Sequence, residues 1–287
     1  MHSLGWDIWN AVQPKEFYKG FLRRSIRPDG RKLSEYRDIT LRKGPLVTTV
    51  DGSANASIGR TVALIGIQPK VIEWKETKKG SARSIVGQHC SLQVEFPSVC
   101  HRDIRSGRTL EEALLVKESL ENVLEQILER DSFCIVPDKF YWHLQITAYC
   151  LSLDGNVIET FLLALYGALL DLQLPVVRAS TSGDLLTLDP NQPKVTLPMK
   201  KLEDWPWVVP IGLFWNGPSE YYAVLDLSEE EENNMSSIVW IWNSQRGDKL
   251  AISKQKVGPL SVNILQEVLQ LVKAHIDEVI LRLQHGK

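Results

Sequence analysis

An excess of either charge is what this sequence most clearly lacks: its 287 residues hold 33 lysines and arginines against 35 aspartates and glutamates. No global field draws it toward nucleic acid, so any such contact has to come from a local basic patch. Long apolar runs are missing too. The longest, Phe161 to Leu170, is far below the roughly 20 residues that span a bilayer, and no membrane partner is expected. Met1 to Lys15 has no continuous apolar core and carries Asp7 and Lys15 among its tryptophans, unlike a secretory leader. Cysteine is scarce: positions 90, 100, 134 and 150 form no Cys-x-x-Cys pair, and the six histidines add no recognisable ligand spacing. Buried free thiols are expected, with no metal and no other cofactor. Gly-x-Gly-x-x-Gly, P-loop, Gly-x-Ser-x-Gly and His-Glu-x-x-His motifs are also absent, which removes the small-molecule enzymes built on those sites. What is present is 44% hydrophobic residues, ample for the core of a soluble intracellular protein of one large or two small domains.

Strand signals run from Asp38 to Ile67, with β-branched residues at Val47, Val50, Ile58, Val62 and Ile65, and predict a meander. Gln68 to Gly87 then carries Lys70, Lys75, Lys78, Lys79 and Arg83 around a single tryptophan and reads as a long basic loop. A strand over His89 to Phe96 leads to a second basic loop ending in Arg102, Arg105 and Arg108. Thr109-Leu110-Glu111-Glu112 fits a capping box at the start of a helix, with Leu110, Ala113, Leu114, Leu120, Val123, Leu124, Ile127 and Leu128 on one face and Arg130-Asp131 at its close. Phe140 to Leu153 reads as a long central strand. Asp154-Gly155-Asn156 turns it into a helix over Val157 to Leu170, apolar on nearly every side and therefore buried. Further on, short strands are expected near Lys194–Leu197, Gly212–Trp215, Tyr221–Leu225, Ser237–Trp242 and Lys249–Ile252. A closing helix begins after Pro259 with Ser261 as its N-cap and turns His275 or Ile276 inward. This order predicts an α+β, or mixed α/β, layer architecture.

Ahead of these elements stands Arg27-Pro28-Asp29-Gly30-Arg31. Proline fixes φ, aspartate bonds its own downstream backbone and glycine permits positive φ, so the pentapeptide is a tight turn with cationic shoulders, on its own an ordinary charged surface turn. Ser53 to Ile67 follows as a small-residue strand, a Gly turn and an apolar strand. Together they resemble the opening of the RNase PH family, which includes phosphorolytic exoribonucleases and the six related ring subunits of the eukaryotic RNA exosome. The resemblance runs from about Lys15 to Gln284. It implies the RNase PH fold, with ribosomal protein S5 domain 2-like βαβα halves packed in one compact domain. That domain is expected over residues 15–287 after an N-terminal extension of residues 1–14, its first half about 27–175 and its second about 176–284.

Phosphorolysis of RNA needs phosphate held in line with the 3′-terminal phosphodiester and a divalent ion or an acid to stabilise charge on the leaving oxygen. Arg108, just before the first long helix, matches the family's phosphate-site arginine in its setting beside free helix amides. The family's Gly-Gly-Thr-Arg motif after the central strand is replaced by Gly155-Asn156-Val157-Ile158, which offers neither hydroxyl nor cation where the phosphate is gripped. In the last third, Asn234 before Met235 stands where the family has an aspartate, and an uncharged amide is neither a general acid near neutral pH nor a good magnesium ligand. Glu231 or Glu232 can supply one carboxylate. Read without the resemblance, Glu229 to Glu232 is a solvated loop.

The resemblance therefore implies a non-catalytic wall segment of a six-membered ring, supporting 3′–5′ RNA processing by assembling the ring and guiding RNA through its channel to an associated hydrolytic nuclease. It also implies other RNase PH-like ring subunits as partners, one of them of the ribosomal RNA-processing protein 46 type, together with S1/KH cap subunits, in the nucleus, nucleolus and cytoplasm. Lys75, Lys78, Lys79, Arg83, Arg102, Arg105 and Arg108 are the candidates for sequence-independent contact with RNA phosphates. Trp205, Trp207 and Trp215 read as parts of exposed tryptophan-rich inserts suited to obligate interfaces, a core position being the alternative for each. The competing expectation is a phosphate-dependent 3′–5′ exoribonuclease that uses Arg108 and the Glu229 to Glu232 run, its site completed by a dimer partner.

Overall fold

The computed structural model describes residues 9, 11–44, 49–73, 84–102, 104, 111–137, 139–179, 186–188, 193–217, 220–246, 250–254 and 262–285. Helix α1 (Pro14–Leu22) starts with proline, whose missing N–H is no loss in a first turn, and buries Phe17, Tyr18 and Leu22. Strands β1 (Ile39–Lys43), β2 (Gly52–Ile58) and β3 (Thr61–Glu73) form the expected antiparallel meander. Strand β4 (Cys90–Glu95), helix α2 (Glu111–Ile127), β5 (Cys134–Val136), β6 (Phe140–Ser152) and helix α3 (Val157–Asp171) complete the first half. The sheet order is β1-β2-β3-β6-β4, with β5 also on β6; β4 runs parallel to β6 because α2 carries the chain across between them.

Alternation decides which face of this sheet is dry. Ala54, Ala56 and Ile58 on β2, Ala63, Ile65 and Ile67 on β3, and Leu144, Ile146 and Ala148 on β6 are all buried. Helix α3 lies on that face, and every residue from Ile158 to Leu169 is buried, as its unbroken apolar sequence requires. Small residues set the approach: a Cβ on Gly167 would stand 2.8 Å from the Ala54 side chain.

On its other side α3 meets the second sheet. Short ribbons pair β7 (Gln173–Leu174) with β10 (Val195–Thr196) and β8 (Val177–Ala179) with β9 (Leu186–Leu188). Then come β11 (Trp207–Trp215), β12 (Tyr221–Leu225), helix α4 (Glu229–Asn234), β13 (Ser237–Asn243) and β14 (Leu250–Lys254), in sheet order β12-β11-β13-β14. Helix α5 (Val262–His285) ends the chain and buries both His275 and Ile276, with Val268, Val272, Val279 and Leu283. The result is the mixed α/β architecture of two sheets around a buried helix.

Several expectations are corrected. The basic loop drawn from Gln68 to Gly87 begins later, because β3 continues through Glu73. Pro69 is tolerated there since β2 stops pairing at Ile67, so no ladder on that side needs the N–H that proline lacks. For the same reason β11 starts at Trp207 rather than Gly212: Pro210 lies just past the last β12 partner, Ile211↔Leu225. Trp205 and Trp207 are core, not surface inserts, at 1% and 2% exposure; both pack on Tyr166, whose hydroxyl donates to the Pro206 carbonyl. Trp215 is half-buried. Cys90, Cys100 and Cys150 are buried free thiols, whereas Cys134 is exposed. Thr109, Leu110 and Ser261, expected at helix starts, lie outside the described residues.

Candidate functional site

The acidic run and the arginine-flanked turn, far apart in sequence, meet in one buried cluster. Ser228 caps α4: its hydroxyl accepts the Glu231 N–H at 3.4 Å while the Glu231 carboxylate accepts the Ser228 N–H at 2.9 Å. This turns Glu231 inward, to 4% exposure, where it meets the fully buried Arg27. The Arg27 guanidinium donates from Nε to Glu231 Oε1 at 2.8 Å, from Nη2 to Glu231 Oε2, and to the carbonyls of Leu225 and Asp226, each at 2.8 Å. Every remaining donor has an acceptor, which is what a charge at zero exposure needs. The turn expected at the surface is therefore a clamp between the N-terminal segment and the second sheet, and Glu229 to Glu232 is a capped helix rather than a solvated loop.

Asp226 is the centre of the cluster. Its backbone takes a left-handed φ of 48° and its carboxylate is fully buried. Arg37 donates to it from the backbone (2.8 Å), Nε (2.9 Å) and Nη2 (2.7 Å), Arg31 from Nη1 (2.9 Å), and Asn156 from Nδ2 (2.9 Å). Burial alone would raise this carboxyl, but the Arg37 guanidinium holds it below the ordinary range. Arg37 also donates to the Asp154 carbonyl at 2.7 Å, which ties the cluster to the turn ahead of α3.

That turn is where the family's phosphate grip would lie. Gly155 has φ +70°, and a Cβ there would sit 2.5 Å from the Leu227 carbonyl, so glycine is required twice over. Thr61 braces it, donating to the Gly155 carbonyl at 2.6 Å and accepting the Asp154 N–H at 2.9 Å. Asn156, also left-handed at φ 51°, is 1% exposed and bridges Glu159 and Asp226 with its amide. Glu159 in turn meets His275 of α5 at 2.5 Å, and the His275 ring stacks on Tyr36 at 3.6 Å. Asn156 thus holds packed elements together.

Next to it is a small cavity of about 150 Å³, lined by Val157, Ile158, Val116, Ile238 and Trp240 with the carboxylates of Glu112 and Glu232. Among the described residues this lining has no lysine or arginine. Burial pushes the Glu232 carboxyl up to about 7, while its Oε1 accepts the Asn156 N–H at 2.8 Å. Asn234 turns away from chemistry, its amide donating to the Glu230 carbonyl of its own helix at 2.7 Å.

Of the seven residues proposed to contact RNA, only Arg102 is described; Lys75, Lys78, Lys79, Arg83, Arg105 and Arg108 lie outside the described residues. Arg102 is exposed and lines a polar cleft of about 1030 Å³ with Arg31, Arg37, Arg60, His101 and Asp154. His101 reaches Glu229 at 3.0 Å across it. The sequence reading did not single out Arg37, Tyr36, Glu159 or His275. An arginine ten residues after Arg27 carries no local signal, since its partners are about 190 residues away.

Two sheets around one buried helix, crossed by this arginine clamp, define an RNase PH-type fold. A solved exosome of Archaeoglobus fulgidus with RNA bound to the active site contains a chain of the same fold, with TM-score 0.73 over 98% of this chain and 99% of that one at 18% identity. An archaeal exosome core gives 0.68 over 98% of each chain, also at 18%. Residues 35–175 match the 3′ exoribonuclease family, domain 1 (RNase PH), and through this domain the chain belongs to the RNase PH family. Among curated relatives it is 25% identical to exosome complex component rrp45 of Schizosaccharomyces pombe over 225 residues, 78% of this chain and 72% of that protein. It is 26% identical to rrp43 of the same yeast over 171 residues, 59% and 61% of the two chains, and 24% identical to Rrp42 of Methanothermobacter thermautotrophicus over 257 residues, 88% and 86%.

Proposed function

We propose that this chain is a non-catalytic ring subunit of the RNA exosome, of the ribosomal RNA-processing protein 43 type. The observation that carries this reading is the fate of the site positions. The turn that would hold phosphate presents Val157 and Ile158 beside two carboxylates, and Glu231 is committed to Arg27. A phosphate placed there meets like charge and no cation among the described residues, and loses charge-assisted bonds worth roughly 1.5–3 kcal/mol each. The chain pairs with a ribosomal RNA-processing protein 46-type subunit, sits under S1/KH caps, and guides RNA toward a hydrolytic nuclease in the nucleus, nucleolus and cytoplasm. Lys75, Lys78, Lys79, Arg83, Arg102, Arg105 and Arg108 supply its phosphate contacts. The rrp43, rrp45 and Rrp42 relatives, all named as exosome components, support the assembly reading.

One observation favours the alternative of a phosphate-dependent exoribonuclease: a Glu232 carboxyl held near 7 is suited to proton transfer at neutral pH. Without a phosphate grip it has no reaction to serve unless a partner completes the site. Native mass spectrometry of the chain co-expressed with RNase PH-like ring subunits tests the proposal. A defined hetero-oligomer containing one copy per ring is expected; a chain that stays monomeric or only self-associates contradicts it.

A further inference from the structure

Between α2 and the outward-facing side of the second sheet lies a cavity of about 620 Å³. Its floor is Trp240 and Trp242 of β13 with their register partners Ser253 and Ala251 of β14, all on one face of the sheet. Helix α2 supplies the wall, where Glu118 and Asn122 are neighbours at helical spacing. Asn243 closes one end. It is 8% exposed, and its Oδ1 is buried without a hydrogen-bond partner. A buried amide oxygen with no donor is uncommon in a finished structure, and in a cavity it calls for a donor that arrives with a ligand.

The remaining chemistry narrows that ligand. Glu118 is exposed and forms no ion pair among the described residues, Glu112 on the same helix is also exposed, and the described lining contains no lysine or arginine. A phosphate would meet carboxylates and no cation, which disfavours RNA although its bases could stack on indoles. A cation is required, with an N–H for Asn243 and a surface that lies against two tryptophans. A lysine ammonium brings the charge but is compact and strongly hydrated. A guanidinium is planar, stacks on aromatic faces and offers several donors at fixed angles, so one group serves Asn243, Glu118 and the indoles together. The volume exceeds a single side chain and falls in the range of ordinary ligand sites, leaving room for flanking residues.

We propose that this groove takes an arginine side chain presented by an extended segment of a partner protein. The proposal rests on the reading of the chain as an assembly subunit and gives that subunit a contact with stated chemistry: acidic and aromatic here, arginine-bearing on the partner.

The test is ¹⁹F NMR of the full chain labelled with 5-fluorotryptophan, in the form in which it purifies, with Trp240 and Trp242 assigned by phenylalanine substitution. The probes are acetyl-Ala-Arg-Ala-amide, its lysine counterpart and an oligouridine. The arginine peptide is expected to move the Trp240 and Trp242 resonances, with the lysine peptide binding about tenfold more weakly and the oligouridine having no effect there. Glu118→Gln and Asn243→Leu should each weaken the arginine peptide about tenfold; the Glu118 change is on an exposed side chain and keeps the test open if the Asn243 variant fails to fold. No shift at these two resonances, equal response to lysine, or an equal response to oligouridine overturns the proposal. So does movement of both resonances in an Arg105→Ala, Arg108→Ala variant without peptide, because the chain's own arginine would then be the occupant. None of these readouts requires ring assembly, which native mass spectrometry reports separately.

Discussion

Arg27→Ala is the most informative single change in this protein. The guanidinium at zero exposure donates twice to Glu231 and once each to the carbonyls of Leu225 and Asp226. Deleting it leaves the Glu231 carboxylate, 4% exposed, without its counter-ion. Breaking a buried pair from one side costs about 3–5 kcal/mol, and each carbonyl left dry adds about 1–3 before water or Arg31 recovers part of it. A loss of about 4–6 kcal/mol is expected, a large share of the roughly 5–15 kcal/mol that holds a domain folded. The measurement is the urea midpoint of the purified protein, with Arg24→Ala, at an exposed position, as the control. Because desolvation is the reason for the cost, removing both charges as Arg27→Met with Glu231→Met should recover most of it and end within about 1–2 kcal/mol of wild type. The reasoning is refuted if Arg27→Ala behaves like Arg24→Ala, or if the double variant is as damaged as the single one.

Three further outcomes follow from the same site. Gly155→Ala should destabilise by about 2 kcal/mol or more, since φ +70° and a carbonyl 2.5 Å from the new Cβ both oppose a side chain; thermal unfolding reads it directly. Two carboxyls set opposite pH trends in urea titrations. With its folded pKa lowered, Asp226 stabilises the protein above the unfolded carboxylate range and loses that contribution as pH falls through the folded value, a trend Asp226→Asn removes. Glu232, raised to about 7, binds more protons when folded, so its contribution declines as pH rises from the ordinary carboxylate range toward 7, and Glu232→Gln should flatten that decline. Replacing Arg105 and Arg108 by alanine in the assembled ring should lower the slope of log affinity against log salt by about 1.4 for single-stranded RNA; an unchanged slope means that neither touches phosphate.

Periodicity carried the fold because the residues that decide it act locally. The run from Phe140 to Ser152 and the all-round apolar helix after Asn156 can each be read from side-chain period alone, and both are found within a residue or two. Where proline punctuates a strand the local signal misleads: Pro69 and Pro210 look like breaks and are tolerated only because a neighbouring strand has already ended. The cluster was hidden for a different reason. Arginines are usually exposed, so Arg27 reads as a surface charge until partners about 200 residues away are known to enclose it. Trp205 and Trp207 follow the same logic in reverse, since only the position of Tyr166 tells that the insert folds inward. What was legible of the site was substitution: Asn156, Val157 and Ile158 lack the groups that grip phosphate, and this needs no coordinates.

Phosphate-dependent release of nucleoside diphosphates from a short RNA, by the purified chain alone and paired with its RNase PH-like partner, tests the central claim most directly. No release attributable to this chain is predicted, and Arg108→Ala should change nothing in the product yield. Phosphorolysis that the chain supports and that disappears with Arg108→Ala would contradict the account, and would assign the carboxyl of Glu232 to catalysis instead.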